Sequence, residues 1–110
     1  MTAEPSFHCE VEKSGSQATG RVTTIRCHGR VVSETAAELK EVVKPIIVSG
    51  GRIILDLTDV EHVDSSGLGT LVGLKVSAIN EGYCTLELIN LTPRVKELLR
   101  ITNLMQLFSS

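Results

Sequence analysis

Aromatic residues are almost missing from this sequence: its 110 residues include no Trp, one Tyr and two Phe. The interior must therefore be built from Val, Ile, Leu and Ala, which suits helices packed tightly against a sheet. Excess charge is missing as well. Eleven basic residues against thirteen acidic ones leave a net charge of −2. That balance lacks the basic footprint that drives binding to phosphate backbones, so nucleic acid is not expected as a partner. No stretch approaches the roughly 20 apolar residues of a membrane span. The opening Met1-Thr2-Ala3-Glu4-Pro5-Ser6 has no basic region followed by an apolar run. The expectation is a cytoplasmic chain without membrane association. Cysteine is scarce and odd in number, at Cys9, Cys27 and Cys84, which favours reduced thiols over a disulfide framework.

What is present is the balance of an ordinary folded chain, 42% hydrophobic and 22% charged. One domain over residues 1–110 is expected, able to bury about 60–70% of the surface its unfolded form exposes. Phe7, Cys9 and Val11 alternate with His8, Glu10 and Glu12, as in a half-buried strand. The polar run Ser14-Gly15-Ser16-Gln17 is expected to break it. A second alternation, Thr23, Ile25 and Cys27, ends at Gly29, and the short connection predicts an antiparallel hairpin. Pairing Cys9 with Cys27 would set His8 opposite His28. Neighbouring strand residues point to opposite faces, so the thiols and imidazoles cannot converge on one tetrahedral metal. Buried thiols, exposed imidazoles and no metal ligands are expected.

From Ser33, a candidate N-cap, the apolar period lengthens to helical spacing through Ala36, Leu39, Val43 and Ile46 or Ile47. Gly50-Gly51 closes that helix, and Ile53 to Leu57 reads as a buried central strand. A loop is expected through Val63. Gly67 to Asn80 then places Leu68, Leu71, Val72, Val76 and Ile79 on one helical stripe that Gly82 ends. Thr85 to Asn90 is a further strand, and Thr92-Pro93 caps a last helix presenting Val95, Leu98, Leu99 and Ile101. Leu104 to Phe108 reads as an edge strand or a packed tail. The expected architecture is α/β: a mixed, mostly parallel sheet of four or five strands, with helices over about residues 33–48, 66–80 and 93–102.

The informative stretch is Leu55-Asp56-Leu57-Thr58-Asp59-Val60-Glu61-His62-Val63-Asp64-Ser65-Ser66-Gly67-Leu68-Gly69. A buried strand leads through an acidic segment to a helix start that Asp64 or Ser65 would cap. Gly67, Gly69 and Gly73 within that helix each cost about 1 kcal/mol relative to alanine, which points to close approach of the helix to the sheet or to a partner. By itself Asp-Ser-Ser-Gly is a common capping sequence.

The segment Asp64-Ser65-Ser66-Gly67-Leu68-Gly69 resembles the signature of STAS domains, the family of bacterial anti-sigma-factor antagonists. The resemblance extends through Gly29 and the first helix, Ile54-Leu55-Asp56-Leu57, and the run from Leu91-Thr92-Pro93 to Leu104. It implies the STAS fold and partner switching rather than catalysis. The serine after the aspartate is the family's phosphoacceptor, which here is Ser65, with Asp64, Ser66, Gly67, Leu68 and Gly69 at the partner surface. The implied partners are an anti-sigma factor that doubles as serine kinase, and a serine phosphatase. The alternative it implies is a STAS subunit of a transporter or other complex with no phosphorylation switch. Val32 stands where family members commonly carry a loop acid, with Glu34 nearby.

Other chemistry is thin. Asp56, Asp59, Glu61 and Asp64 lack the spacing of a calcium loop. His62 and Ser65 suggest a base and a nucleophile, but no third member or oxyanion hole can be named, and the Gly-Lys-Ser/Thr ending of a phosphate-binding loop is missing. No cofactor and no enzymatic activity are expected.

Overall fold

The computed structural model describes residues 7–16 and 20–109. The polar opening Met1–Ser6 and Gln17 of the expected turn lie outside the described residues. The elements run β1 (Phe7–Ser16), β2 (Gly20–Val31), α1 (Ala36–Ser49), β3 (Gly51–Val63), α2 (Ser65–Glu81), β4 (Cys84–Ile89), α3 (Pro93–Ile101) and α4 (Met105–Ser109). The four strands lie in the order β1-β2-β3-β4. β1 pairs antiparallel with β2, with Cys9 opposite Cys27 and His8 opposite His28 as expected. The β2–β3 and β3–β4 pairs are parallel. Two successive right-handed crossovers that advance in the same direction along a sheet put both connecting helices on the same face. α1 and α2 accordingly pack together on one face, over Ile25, Cys27, Ile53, Leu55, Leu57 and Leu86.

Several strands outrun their expected ends. Ser14, Gly15 and Ser16 continue β1 instead of breaking it. Gly29 lies inside β2 at φ 103°, and the strand continues to Val31. The segment expected as a loop before Val63 is strand throughout, because β3 is bulged where its register with β2 shifts between Arg26 and His28 and again between Gly29 and Arg30. Each bulge inserts one residue and resets the alternation. The buried positions therefore abandon the spacing of two: after Ile53, Leu55 and Leu57 they fall at Val60 and Val63. Asp56 supports the first bulge, its Oδ1 accepting from the Thr58 N–H at 3.0 Å and the Thr58 hydroxyl at 2.6 Å.

The helices depart from expectation in smaller ways. α1 begins at Ala36 rather than near Ser33, and Thr35 occupies the cap position. Its Oγ1 accepts the Val32 N–H at 3.0 Å and donates to the Arg30 carbonyl at 2.6 Å, which fixes the turn out of β2. α1 buries Ala36, Leu39, Val43 and Ile47 as the spacing predicts. α2 buries Leu68 and Leu71, but its inward stripe continues through Leu74 and Ala78, while Val76 and Ile79 are 43% and 57% exposed. Lys75 is also buried and donates from Nζ to the Leu86 carbonyl at 2.8 Å. Leu104–Phe108 is not a strand. Asn103 at φ 60° turns the chain, the Leu104 N–H bonds back to the Leu99 carbonyl at 2.9 Å, and α4 follows. Leu104 and Phe108, one helical turn apart, pack against the core.

Candidate functional site

The site is assembled where β3 ends and α2 begins. Asp64 is the N-cap, and its Oδ1 accepts the Gly67 N–H at 2.8 Å. Its other oxygen accepts the Ser33 N–H at 3.2 Å, across from the β2–α1 turn. The Asp64 N–H in turn donates to the Val31 carbonyl at 3.3 Å. One aspartate thus ties the start of α2 both to the end of β2 and to the turn that follows it. The Gly67 N–H, with those of Ser33 and Ser66, holds the Asp64 carboxyl below the usual carboxylate range, against the opposing effect of desolvation.

Asp64 rather than Ser65 is therefore the cap, which leaves Ser65 free of that duty as the first residue of the helix. Ser65 and Ser66 are both exposed. Among the described residues no side-chain hydrogen bond holds the Ser65 hydroxyl. The Ser66 carbonyl accepts from the Thr70 hydroxyl at 3.0 Å. Of the remaining residues expected at a partner surface, Gly69 is exposed and Asp64 half-buried, whereas Gly67 and Leu68 face inward. A Cβ on Gly67 would lie 1.8 Å from the Val31 carbonyl oxygen, so this glycine lets the helix seat directly on the backbone of β2. Gly69 and Gly73 face open space. The outward side of the helix beyond Ser65 thus carries no side chain at positions 69 and 73.

Val32, at the position of the missing acid, is buried. The exposed acid of that loop is Glu34, whose Oε1 accepts from the Ser33 hydroxyl at 3.1 Å. His62 lines a groove with Arg30, Glu61 and Arg94, and no hydrogen bond connects it with Ser65 among the described residues. The base and nucleophile suggested by the sequence are not joined.

One family model, that of the STAS domain, matches residues 15–109, which include every element from β2 onward and the whole of this helix start. The chain belongs to the STAS domain family. A STAS-domain containing protein of Pseudomonas aeruginosa is 31% identical to it over 83% of this chain and 89% of that protein. The anti-sigma-B factor antagonist of Staphylococcus aureus is 33% identical over 76% and 77% of the respective chains. Among solved structures, an anti-sigma factor antagonist from Mycobacterium paratuberculosis superposes with a TM-score of 0.76 at 20% identity, covering 99% of this STAS domain and 88% of that chain. No helix among the described residues of this STAS domain is long and apolar enough to cross a membrane.

Proposed function

We propose that this STAS domain is an anti-sigma-factor antagonist, a binding module without catalytic activity or cofactor whose partner is released when Ser65 is phosphorylated. The observation that carries the reading is the exposed Ser65 hydroxyl, without a side-chain hydrogen bond among the described residues, directly after the capping Asp64. In the unmodified state, Ser65, Ser66 and Gly69 give an anti-sigma factor a small, neutral surface on which to pack. That partner doubles as the serine kinase: it transfers the γ-phosphoryl group of ATP to Ser65 Oγ, releasing ADP, and the hydroxyl proton passes to a base on the kinase. The phosphate brings a charge of about −1.5 to −2 next to Asp64. The helix N-terminus accommodates it, so the fold persists while the docking surface is lost. A serine phosphatase restores the binding form. Glu34, exposed on the loop that Asp64 anchors, takes the place of the loop acid in docking the kinase.

The test is phosphorylation of wild type, Ser65→Ala and Ser66→Ala by the cognate kinase with ATP, followed by mass-spectrometric mapping. Phosphate should appear on wild type and Ser66→Ala alone. Ser65→Ala should retain anti-sigma-factor binding, and Ser65→Asp should weaken it. Phosphate that survives in Ser65→Ala would move the switch to another residue. Failure of every form to accept phosphate, with folding verified, would favour a STAS subunit of a transporter or other complex.

A further inference from the structure

The sheet face opposite α1 and α2 carries a second cluster of chemistry-bearing side chains. Antiparallel pairing sets His8 opposite His28, and their rings stack with centroids 4.6 Å apart and planes 14° from parallel. Alternate residues of a strand share a face, so Glu10 joins them, its Oε1 lying 2.5 Å from His28 Nε2. One donor atom from each of His8, Glu10 and His28 lies within 4.8 Å of the others. β3 adds Asp59, in register with His28, whose Oδ2 is 2.9 Å from His28 Nδ1.

His28 therefore has a carboxylate on each ring nitrogen. If Asp59 accepts the Nδ1 proton, the Nε2 lone pair and the Glu10 carboxylate face each other, and that contact needs a cation between them. A proton meets the need, and so does a metal ion. The carboxylate, histidine and metal in line are the arrangement in which a ligating imidazole is usually held, its other N–H fixed by an acidic side chain. Arg26, opposite Glu10 on β2, is directed to Glu12, 3.6 Å away.

We propose that His8, Glu10 and His28 form a binding site for a divalent transition metal of the zinc class, with Asp59 as a positioning carboxylate. Two imidazole nitrogens and one carboxylate oxygen suit zinc, with water in the fourth position, better than the all-oxygen preference of calcium or magnesium. Zinc bonds of about 2.0–2.2 Å in a tetrahedron put donors roughly 3.3–3.6 Å apart. His8 and Glu10 are exposed, so rotation of their side chains can close the set. Cys9 and Cys27 belong to the other face and take no part, in keeping with the parity argument from the sequence. The bound ion would fasten the edge strand β1 to β2. The site is separate from Ser65, and its test does not depend on the phosphorylation reading.

The experiment is calorimetric titration of the chelator-stripped full chain with zinc chloride in the presence of a weak competing chelator, with cobalt(II) absorption as a second readout. One zinc per chain and a higher melting temperature with zinc are expected. His8→Ala and His28→Ala should each weaken binding at least tenfold, and Asp59→Asn about tenfold. Circular dichroism confirms that each variant is folded. Cobalt should show ligand-field bands without thiolate charge transfer. A thiolate band abolished by Cys9→Ser would overturn the assignment by placing the metal on the cysteines. So would binding that is weak, without defined stoichiometry and unchanged in the His8→Ala/His28→Ala double variant, which would mean an adventitious ion only.

Discussion

Gly67 and Gly69 lie two residues apart on α2 and meet opposite surroundings. On the inward side, Gly67 seats the helix against the Val31 carbonyl, and a methyl group there would overlap the backbone of β2. On the outward side, Gly69 and Gly73 meet nothing, and a methyl group would stand in open space. The inward glycine is explained by the fold. The outward pair weakens the helix with no gain in packing, and on the proposed function a closely approaching partner would account for what the fold does not.

Substitutions that treat the two sides alike should break their likeness. Gly67→Ala must push α2 off the sheet and should cost about 3 kcal/mol or more in urea denaturation, or prevent folding. Equal stability of Gly67→Ala and wild type would refute the close seating. Leu71→Ala, at a fully buried inward position, should cost about 2–5 kcal/mol. The outward Val76→Ala should stay within about 0.5 kcal/mol of wild type. Gly69→Ala and Gly73→Ala should each raise stability by about 0.5–1 kcal/mol. On the proposed function, Gly69→Ala should also bind the anti-sigma factor less tightly, measured by calorimetry; a gain in both properties would remove Gly69 from the interface.

The smallest effect concerns acid. Asp64 has a folded pKa below its unfolded one, so its stabilisation is complete above the unfolded value and is lost as pH falls through the folded value. Wild type should thus lose more stability than Asp64→Asn as pH falls from about 5. Denaturation curves with parallel pH dependence for the two proteins would show that the cap contributes nothing through its charge.

The periodic parts of the fold are legible from the residues alone. The hairpin register follows from two alternations and a short connection, and the inward face of α1 from its helical spacing. β3 resists such reading beyond Leu57 because its bulges convert a spacing of two into a spacing of three at Val60 and Val63, which no simple period matches. The expected α2 stripe strays toward Val76 and Ile79, since apolar residues occur on both sides of this helix and a period alone does not say which side meets the sheet. Asp64 and Ser65 are readable as alternative caps. What the sequence does not show is that the second Asp64 oxygen meets the Ser33 N–H, distant in sequence and brought near only by the fold. The pairing of His8 with His28 is likewise legible, but the place of Asp59 beside them is not, because it depends on the bulge that shifts β3 against β2.

The order β1-β2-β3-β4 repeats across the sheet the order of the strands along the chain. Each strand therefore finds its neighbour in the strand that has just preceded it, and no pairing waits for a distant part of the polypeptide. The entropy of closing loops is spread over a series of modest steps instead of falling on one long search. As the chain leaves the ribosome, the hairpin can close before α1 exists, and each later strand arrives at an edge already formed. The edge waiting for each newcomer is open to other molecules only until the next strand of the chain arrives to cover it.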